Sequence, residues 1–283
     1  MRTLAHIVNP FIAPADSDLA VAQPITFASM LRAQADAAEV AKVELWSAQF
    51  TSDRGIVPTG FAFTSDLDRS VLDLGQFQRP MQLPLIKDIM DRLHQASQAE
   101  YLIYTNVDIG VMPDFYQQVN AFIEAGHDAF VINRRRLPEH YTTSDQLEAI
   151  YQDRGKSHPG FDCFVLHRDL YPQFSLGDIC IGVPFIGIGM AQNLFCFAEN
   201  PRVFADEHLT FHIGMELFKK RAPKDYFVHN QQAFWAAMNH IRPQLDSRKW
   251  PWGDRPFPER MIRWGLHPSL PIRLALQLEG RRW

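Results

Sequence analysis

Tyr101-Leu-Ile-Tyr-Thr-Asn106-Val-Asp108-Ile-Gly-Val-Met-Pro113-Asp-Phe-Tyr116 is the stretch that decides the fold class. A short apolar run stops on a polar Asn-x-Asp, and a Pro-led helix follows. A central parallel strand is buried on both faces, so polar side chains at its carboxyl end lie where open α/β sheets place ligands. In an extended chain Asn106 and Asp108 point the same way. Asp108 then suits a hard divalent cation, and Asn106 a neighbouring hydroxyl or phosphate oxygen. A second explanation stays open at this point: Asp108 caps a turn before the helix.

The flanks extend the pattern in both directions. Leu4 to Val8 forms a first strand ending in Asn9-Pro10-Phe11. Ile25 to Val40 carries apolar residues at helical spacing, and Val43 to Trp46 supplies a second strand. Gln49 to Pro80 is punctuated by Gly55, Pro58, Gly60, Gly75 and Pro80, which predicts a long irregular loop. Helices are expected from about Pro84 to Ser97 and from Pro113 to Ala125, the latter stopped by Gly126. Ala129 to Ile132 is another buried strand leading into Asn133-Arg134-Arg135-Arg136, and His158-Pro-Gly is expected to turn the chain into a strand at Phe161. Strand, helix and strand in this order form a right-handed crossover. The chain is therefore α/β, a three-layer sandwich with a largely parallel central sheet.

Bulk composition narrows the function. A net charge of −4 gives no broad nucleic-acid footprint. Cys163, Cys180 and Cys196 lack zinc spacing and the even count of a disulfide framework, which predicts buried thiols in a reducing, cytoplasmic compartment. The N-terminal residues are too strand-like for a secretory signal. Ile179 to Ala198 carries no charge, but its three glycines, Pro184, Gln192 and Asn193 predict a loop entering a buried helix rather than a membrane span. The segment from Arg242 to Trp283 differs in kind. It holds eight Arg, one Lys and four acids, with four of the six Trp and six Pro. A division into residues 1–240 and an irregular 241–283 extension follows. That tail wraps the domain, flaps over an acceptor, or makes peripheral membrane contact, since Trp and Arg suit an interface.

The order of elements from Leu4 to Gly214, with its strand-end Asn106-Val-Asp108 and late histidine, resembles the GT-A fold glycosyltransferases. The resemblance implies a hexosyltransferase-like enzyme that moves a sugar from a nucleotide-diphosphate donor to a glycan or lipid acceptor of unknown identity. It implies a divalent cation, Mn²⁺ or Mg²⁺, on Asp108, with Asn106 on the ribose or donor sugar. Asn in place of a first Asp removes one charge, so such a metal site depends more on the diphosphate. A further ligand is implied at His212, with His208 as the alternative. Asn9 and Pro10 are expected to line the nucleoside pocket. Arg134, Arg135 and Arg136, or Lys87, are the candidate cations for the diphosphate. For catalysis the candidates are Asp178 as proton acceptor and Asp162 as a sugar contact. Competing readings are a non-catalytic glycan or nucleotide binder and a sugar-phosphate nucleotidyltransferase. A P-loop enzyme is disfavoured, because no G-x-x-x-x-G-K-[ST] occurs.

Overall fold

The computed structural model describes residues 1–214 and 223–280. Nine strands form one sheet among these residues: β1 (Arg2–Val8), β2 (Ala41–Ser47), β3 (Ala62–Phe63), β4 (Tyr101–Thr105), β5 (Gly110–Val111), β6 (Ala129–Leu137), β7 (Lys156–His167), β8 (Pro201–Phe204) and β9 (Thr210–Ile213). Their order is β3-β2-β1-β4-β7-β6-β9-β5, with β8 beside the first half of β6. Parallel pairing dominates, and β7 and β5 supply the antiparallel contacts. Among the described residues the α-helices are α1 (Asp18–Asp36), α2 (Ile86–Ala96), α3 (Phe115–Glu124), α4 (Leu147–Gln152), α5 (Ile186–Phe197), α6 (Lys224–Ile241), α7 (Phe257–Leu266) and α8 (Ile272–Glu279).

The period-two alternation of the strands divides the core into two layers. Ala5, Ile7, Leu102, Tyr104, Ala129 and Val131 face one cluster, which α2, α5 and α6 close with Ile89, Leu194 and Phe234. Leu4, Tyr101, Ile103, Phe130 and Ile132 face the other, closed by Phe27 and Met30 of α1 and Val119 of α3. This is a three-layer α/β sandwich.

Several local expectations change. The crossover from β4 through α3 reaches β6, but β7 lies antiparallel between the two parallel strands. Arg134 to Arg136 do not follow the strand. They belong to β6, because that half of the strand is paired on both sides, by β7 and by β9. His158-Pro-Gly likewise lies within β7, beside a register irregularity around Asn133. Proline lacks an N–H for the ladder, so a bulge is where such a segment can be accommodated. The connection from Gln49 to Pro80 is irregular as expected, holding only short 3-10 turns and β3. Among the described residues no helix is long and apolar enough to cross a membrane.

The segment after residue 240 is helical rather than irregular. Trp250, Trp264, Leu270, Leu274 and Leu278 enter the same apolar cluster as α5 and α6. Glu279, buried in α8, accepts from the Ser247 hydroxyl at 2.6 Å and pairs with Arg260 at 3.3 Å. Residues 281–283 of this expected tail lie outside the described residues.

Candidate active site

The chain turns immediately after β4. The Ile109 N–H donates to the Asn106 carbonyl at 3.1 Å, because β5 must run back antiparallel to β9. This turn corrects the extended geometry expected for the Asn-x-Asp segment. Asn106 Oδ1 accepts from the Tyr104 hydroxyl at 2.9 Å, while Asp108 Oδ2 lies 3.0 Å from His212 Nε2. Asp108 lies in this turn, and helix α3 is entered separately through Asp114.

Hydrogen bonding fixes the state of His212. Its Nδ1 lies 3.1 Å from the Gly214 carbonyl oxygen, which can only accept, so Nδ1 carries a proton. Gly214 has φ of +79°, a left-handed conformation that turns the chain sharply after β9. Nε2 faces a carboxylate, which favours a second proton on the ring. Burial works against that charge, but the hydrogen bond and charge of Asp108 outweigh it and raise the His212 pKa. Burial also opposes ionisation of Asp108, yet the bond to His212, its charge and that of Arg134 hold the carboxyl below its ordinary value.

β6 and β7 bring a second pair alongside. Arg134 forms an ion pair with Asp162, both nearly buried. Asp162 is pushed up by burial, with Asp108 adding to the shift and Arg134 and His212 opposing it. His158 completes the cluster. Its Nδ1 accepts from the Gly160 N–H at 2.9 Å, which leaves its proton on Nε2. Burial, then Arg134, Arg136 and His212, push its pKa down to about 4, so it is neutral at physiological pH. A Cβ at position 160 would stand 2.5 Å from His158 Cε1 and 3.2 Å from Asp162 Oδ2, so only glycine leaves room for this arrangement. His158 was missed as a functional residue because His-Pro-Gly looks like turn chemistry. Its separation of four residues from Asp162, which puts both side chains on one face of an extended strand, was the available signal.

The other candidates fall elsewhere. Arg135 faces a different cavity of about 190 Å³ with Tyr151, Asp153, Arg154 and His208, and donates to the Gly155 carbonyl at 3.2 Å. Arg135 and His208 are thus separated from the Arg134 group. Lys87 pairs with Asp91 one turn along α2. Asp178 is half exposed, 3.9 Å from Arg69, and its carbonyl accepts from His229. Asn9 and Pro10 are buried at the end of β1, where the Asn9 amide donates to the Ala48 carbonyl. An apolar cavity of about 410 Å³ lies beyond them, lined by Phe11, Ile12, Phe27, Leu31, Ile56 and Pro58 among others.

No protein-family model and no curated protein sequence matches the chain. Solved structures do. S. aureus TarS 1-349 in complex with UDP-GlcNAc is 11% identical, with 97% of this chain and 83% of that chain covered at a TM-score of 0.51. TarS 1-349 in a second crystal structure is 10% identical, with 97% and 82% covered at 0.50. Glucosyl-3-phosphoglycerate synthase from Mycobacterium tuberculosis, in complex with Mn²⁺, UDP and phosphoglyceric acid, is 14% identical, with 87% and 80% covered at 0.48. Identities this low carry the fold alone, and the fold of this chain is GT-A-like, as in the glycosyltransferases.

Proposed function

We propose that the chain is a metal-dependent glycosyltransferase using a nucleotide-diphosphate sugar. The observation that carries this reading is the pairing of Asp108 with His212 at the tip of the sheet, beside the Arg134–Asp162 pair. The TarS structure with UDP-GlcNAc supports the donor class.

The residues fit a divalent cation in one specific way. Asp108 Oδ1 is buried without a hydrogen-bond partner, and His212 Nε2 is directed at the same carboxyl. The Nδ1–H bond to Gly214 orients the ring as the outer contact of a ligating histidine does. Among the described residues no group of three or more His, Cys, Asp or Glu is placed to hold a metal ion by itself, so Asp108 and His212 would hold the ion with diphosphate oxygens and water. Once bound, Mn²⁺ or Mg²⁺ would neutralise charge developing on the departing diphosphate.

The chain's own groups divide the remaining work. Arg134 places a guanidinium beside the same carboxylates and offers forked donors to phosphate oxygens. Neutral His158 offers an Nε2–H to a hydroxyl. Asp162, with its raised pKa, is better matched to accepting a proton from an acceptor hydroxyl than an ordinary carboxylate. Asp178 lies instead beside Arg69 and His229. The acceptor is a glycan or lipid hydroxyl.

Thermal melting with UDP, GDP or dTDP, with and without Mn²⁺, tests the donor site. One nucleotide should stabilise the protein in a metal-dependent manner, and the matching nucleotide-sugar should be hydrolysed slowly without acceptor. Stabilisation without hydrolysis or transfer would instead make the protein a binder.

A further inference from the structure

The cavity beside β6 and β9 holds chemistry that the proposed sugar transfer does not use. Successive residues of a strand point to opposite faces. Arg135 therefore leaves the Arg134–Asp162 pair and enters the cavity of about 190 Å³, lined also by Tyr151, Asp153, Arg154 and His208. Its guanidinium is held from one side, where Nη2 donates to the Gly155 carbonyl at 3.2 Å. Gly155 has φ of +53°, and a Cβ there would stand 2.4 Å from the Arg136 carbonyl oxygen. Only glycine makes this turn, so the carbonyl that positions Arg135 is fixed.

The rest of the guanidinium has no partner. Nε and Nη1 of Arg135 are buried without a hydrogen bond, and among the described residues no other arginine has two such nitrogens. The Tyr151 hydroxyl is buried without a hydrogen bond as well. The acids nearby do not fill the need. Asp153 already accepts from the Gly155 N–H at 2.8 Å and from the Tyr141 hydroxyl at 3.0 Å, and Asp206 is exposed. Burial, then the charge of Arg154, pushes the Arg135 pKa below its ordinary value, with Asp206 and Asp153 opposing. Buried N–H groups of a cation left unpaired are costly, and an anion relieves that cost.

Size and donor geometry narrow the anion. Pockets for drug-sized ligands hold about 300–1,000 Å³, so this cavity is too small for a nucleotide-sugar. Its donors come from β6, from α4 and from the loop after α4, which suits the tetrahedral oxygens of a phosphate better than a flat carboxylate. We propose that Arg135, Arg154 and Tyr151 form a binding site for a small phosphate-bearing anion, separate from the donor site at the tip of the sheet. None of the three has a part in the sugar transfer proposed above, so the two readings stand or fall apart.

Calorimetric titration and thermal melting of the full chain with inorganic phosphate, and separately with glycerol 3-phosphate, test the site. At least one probe should bind, and acetate at the same ionic strength should bind far more weakly. Tighter binding of inorganic phosphate assigns the site to the free ion, and tighter binding of glycerol 3-phosphate to a phosphorylated small molecule. Arg135→Gln should weaken binding by about tenfold or more. Arg154→Glu, at an exposed position, should also weaken it with circular dichroism unchanged, and it decides the matter if the Arg135 variant does not fold. Binding should persist with UDP, GDP or dTDP and Mn²⁺ present. Absence of both heat and a melting shift with the two phosphate probes overturns the proposal, as does equal binding by wild type and Arg154→Glu. Phosphate binding that nucleotide and Mn²⁺ abolish, and that Arg154→Glu leaves unchanged, belongs to Arg134 and overturns it too.

Discussion

His6 in β1 and His212 in β9 are both buried in the same sheet, yet their surroundings push their charge in opposite directions. His6 sits between two hydroxyls, with Nδ1 2.9 Å from Tyr116 and Nε2 2.9 Å from Thr105. A hydroxyl can donate to one ring nitrogen and accept from the other, so a neutral ring is satisfied, and burial lowers its pKa to about 3. His212 sits between a carbonyl and a carboxylate, neither of which donates. One histidine closes a structural network. The other leaves a place for a positive charge, and that need separates a site from a core.

Substitutions at the two places should differ in kind, and the largest effect is expected at Asp108. Asp108→Ala should lower sugar transfer by about 100-fold or more and abolish the metal-dependent melting shift. Full turnover in that variant would remove the distinction between the two histidines. His212→Gln should weaken the response to Mn²⁺ by about tenfold, less than Asp108→Ala, because the carboxylate and diphosphate remain. His6→Leu should leave the metal response intact and cost about 2 kcal/mol of stability, since it strands the Tyr116 and Thr105 hydroxyls. Chemical denaturation, with nucleotide and Mn²⁺ titrations alongside, separates these outcomes.

Dependence on pH gives the smallest and most discriminating effect. The folded pKa of His6 lies below the ordinary 6.5, so its contribution to stability is full above that value and is lost as pH falls toward about 3. The folded pKa of His212 is raised, so the stability of its pair with Asp108 is full below the ordinary imidazole value and is lost as pH rises through the raised one. The lowered pKa of Asp108 confines that pair on the acid side as well, with loss as pH falls below the ordinary carboxylate range. In metal-free melting curves, His6→Leu should flatten the acid limb and His212→Gln the alkaline limb. The reverse assignment would show that the two rings had been confused.

The three layers were legible in the sequence because β1, β4 and α2 carry clear periodicities, and nothing in the tertiary structure overrides them. Asp108, Asp162 and Arg134 were nameable as candidates because each stands near the end of an apolar run, whereas His212 was nameable only through the resemblance to the GT-A glycosyltransferases. Their grouping was not legible. It depends on β7 entering antiparallel between β4 and β6, a long-range pairing that no local spacing encodes. The same pairing draws Arg134, Arg135 and Arg136 into a strand, where alternation sends Arg134 and Arg135 to different surroundings. The turn at Asn106 was hidden for a related reason, since it is imposed by the partner of β5 rather than by the residues of the turn. The helical form of the C-terminal segment was masked by its prolines. Pro256 and Pro271 stand at the entry of α7 and α8, where the missing N–H costs nothing.

The central claim is that Asp108 and His212 together receive a divalent cation with a nucleoside diphosphate. Its most direct test is Mn²⁺ uptake followed by electron paramagnetic resonance in the presence of UDP, GDP or dTDP, with proton release measured in the same titration. Below the raised pKa of His212, wild-type protein should take up Mn²⁺ with one of these nucleotides and release about one proton per ion, as the imidazolium gives up its Nε2 proton, while Asp108→Ala should take up none. Equal Mn²⁺ uptake by wild type and Asp108→Ala, without proton release, would contradict the account.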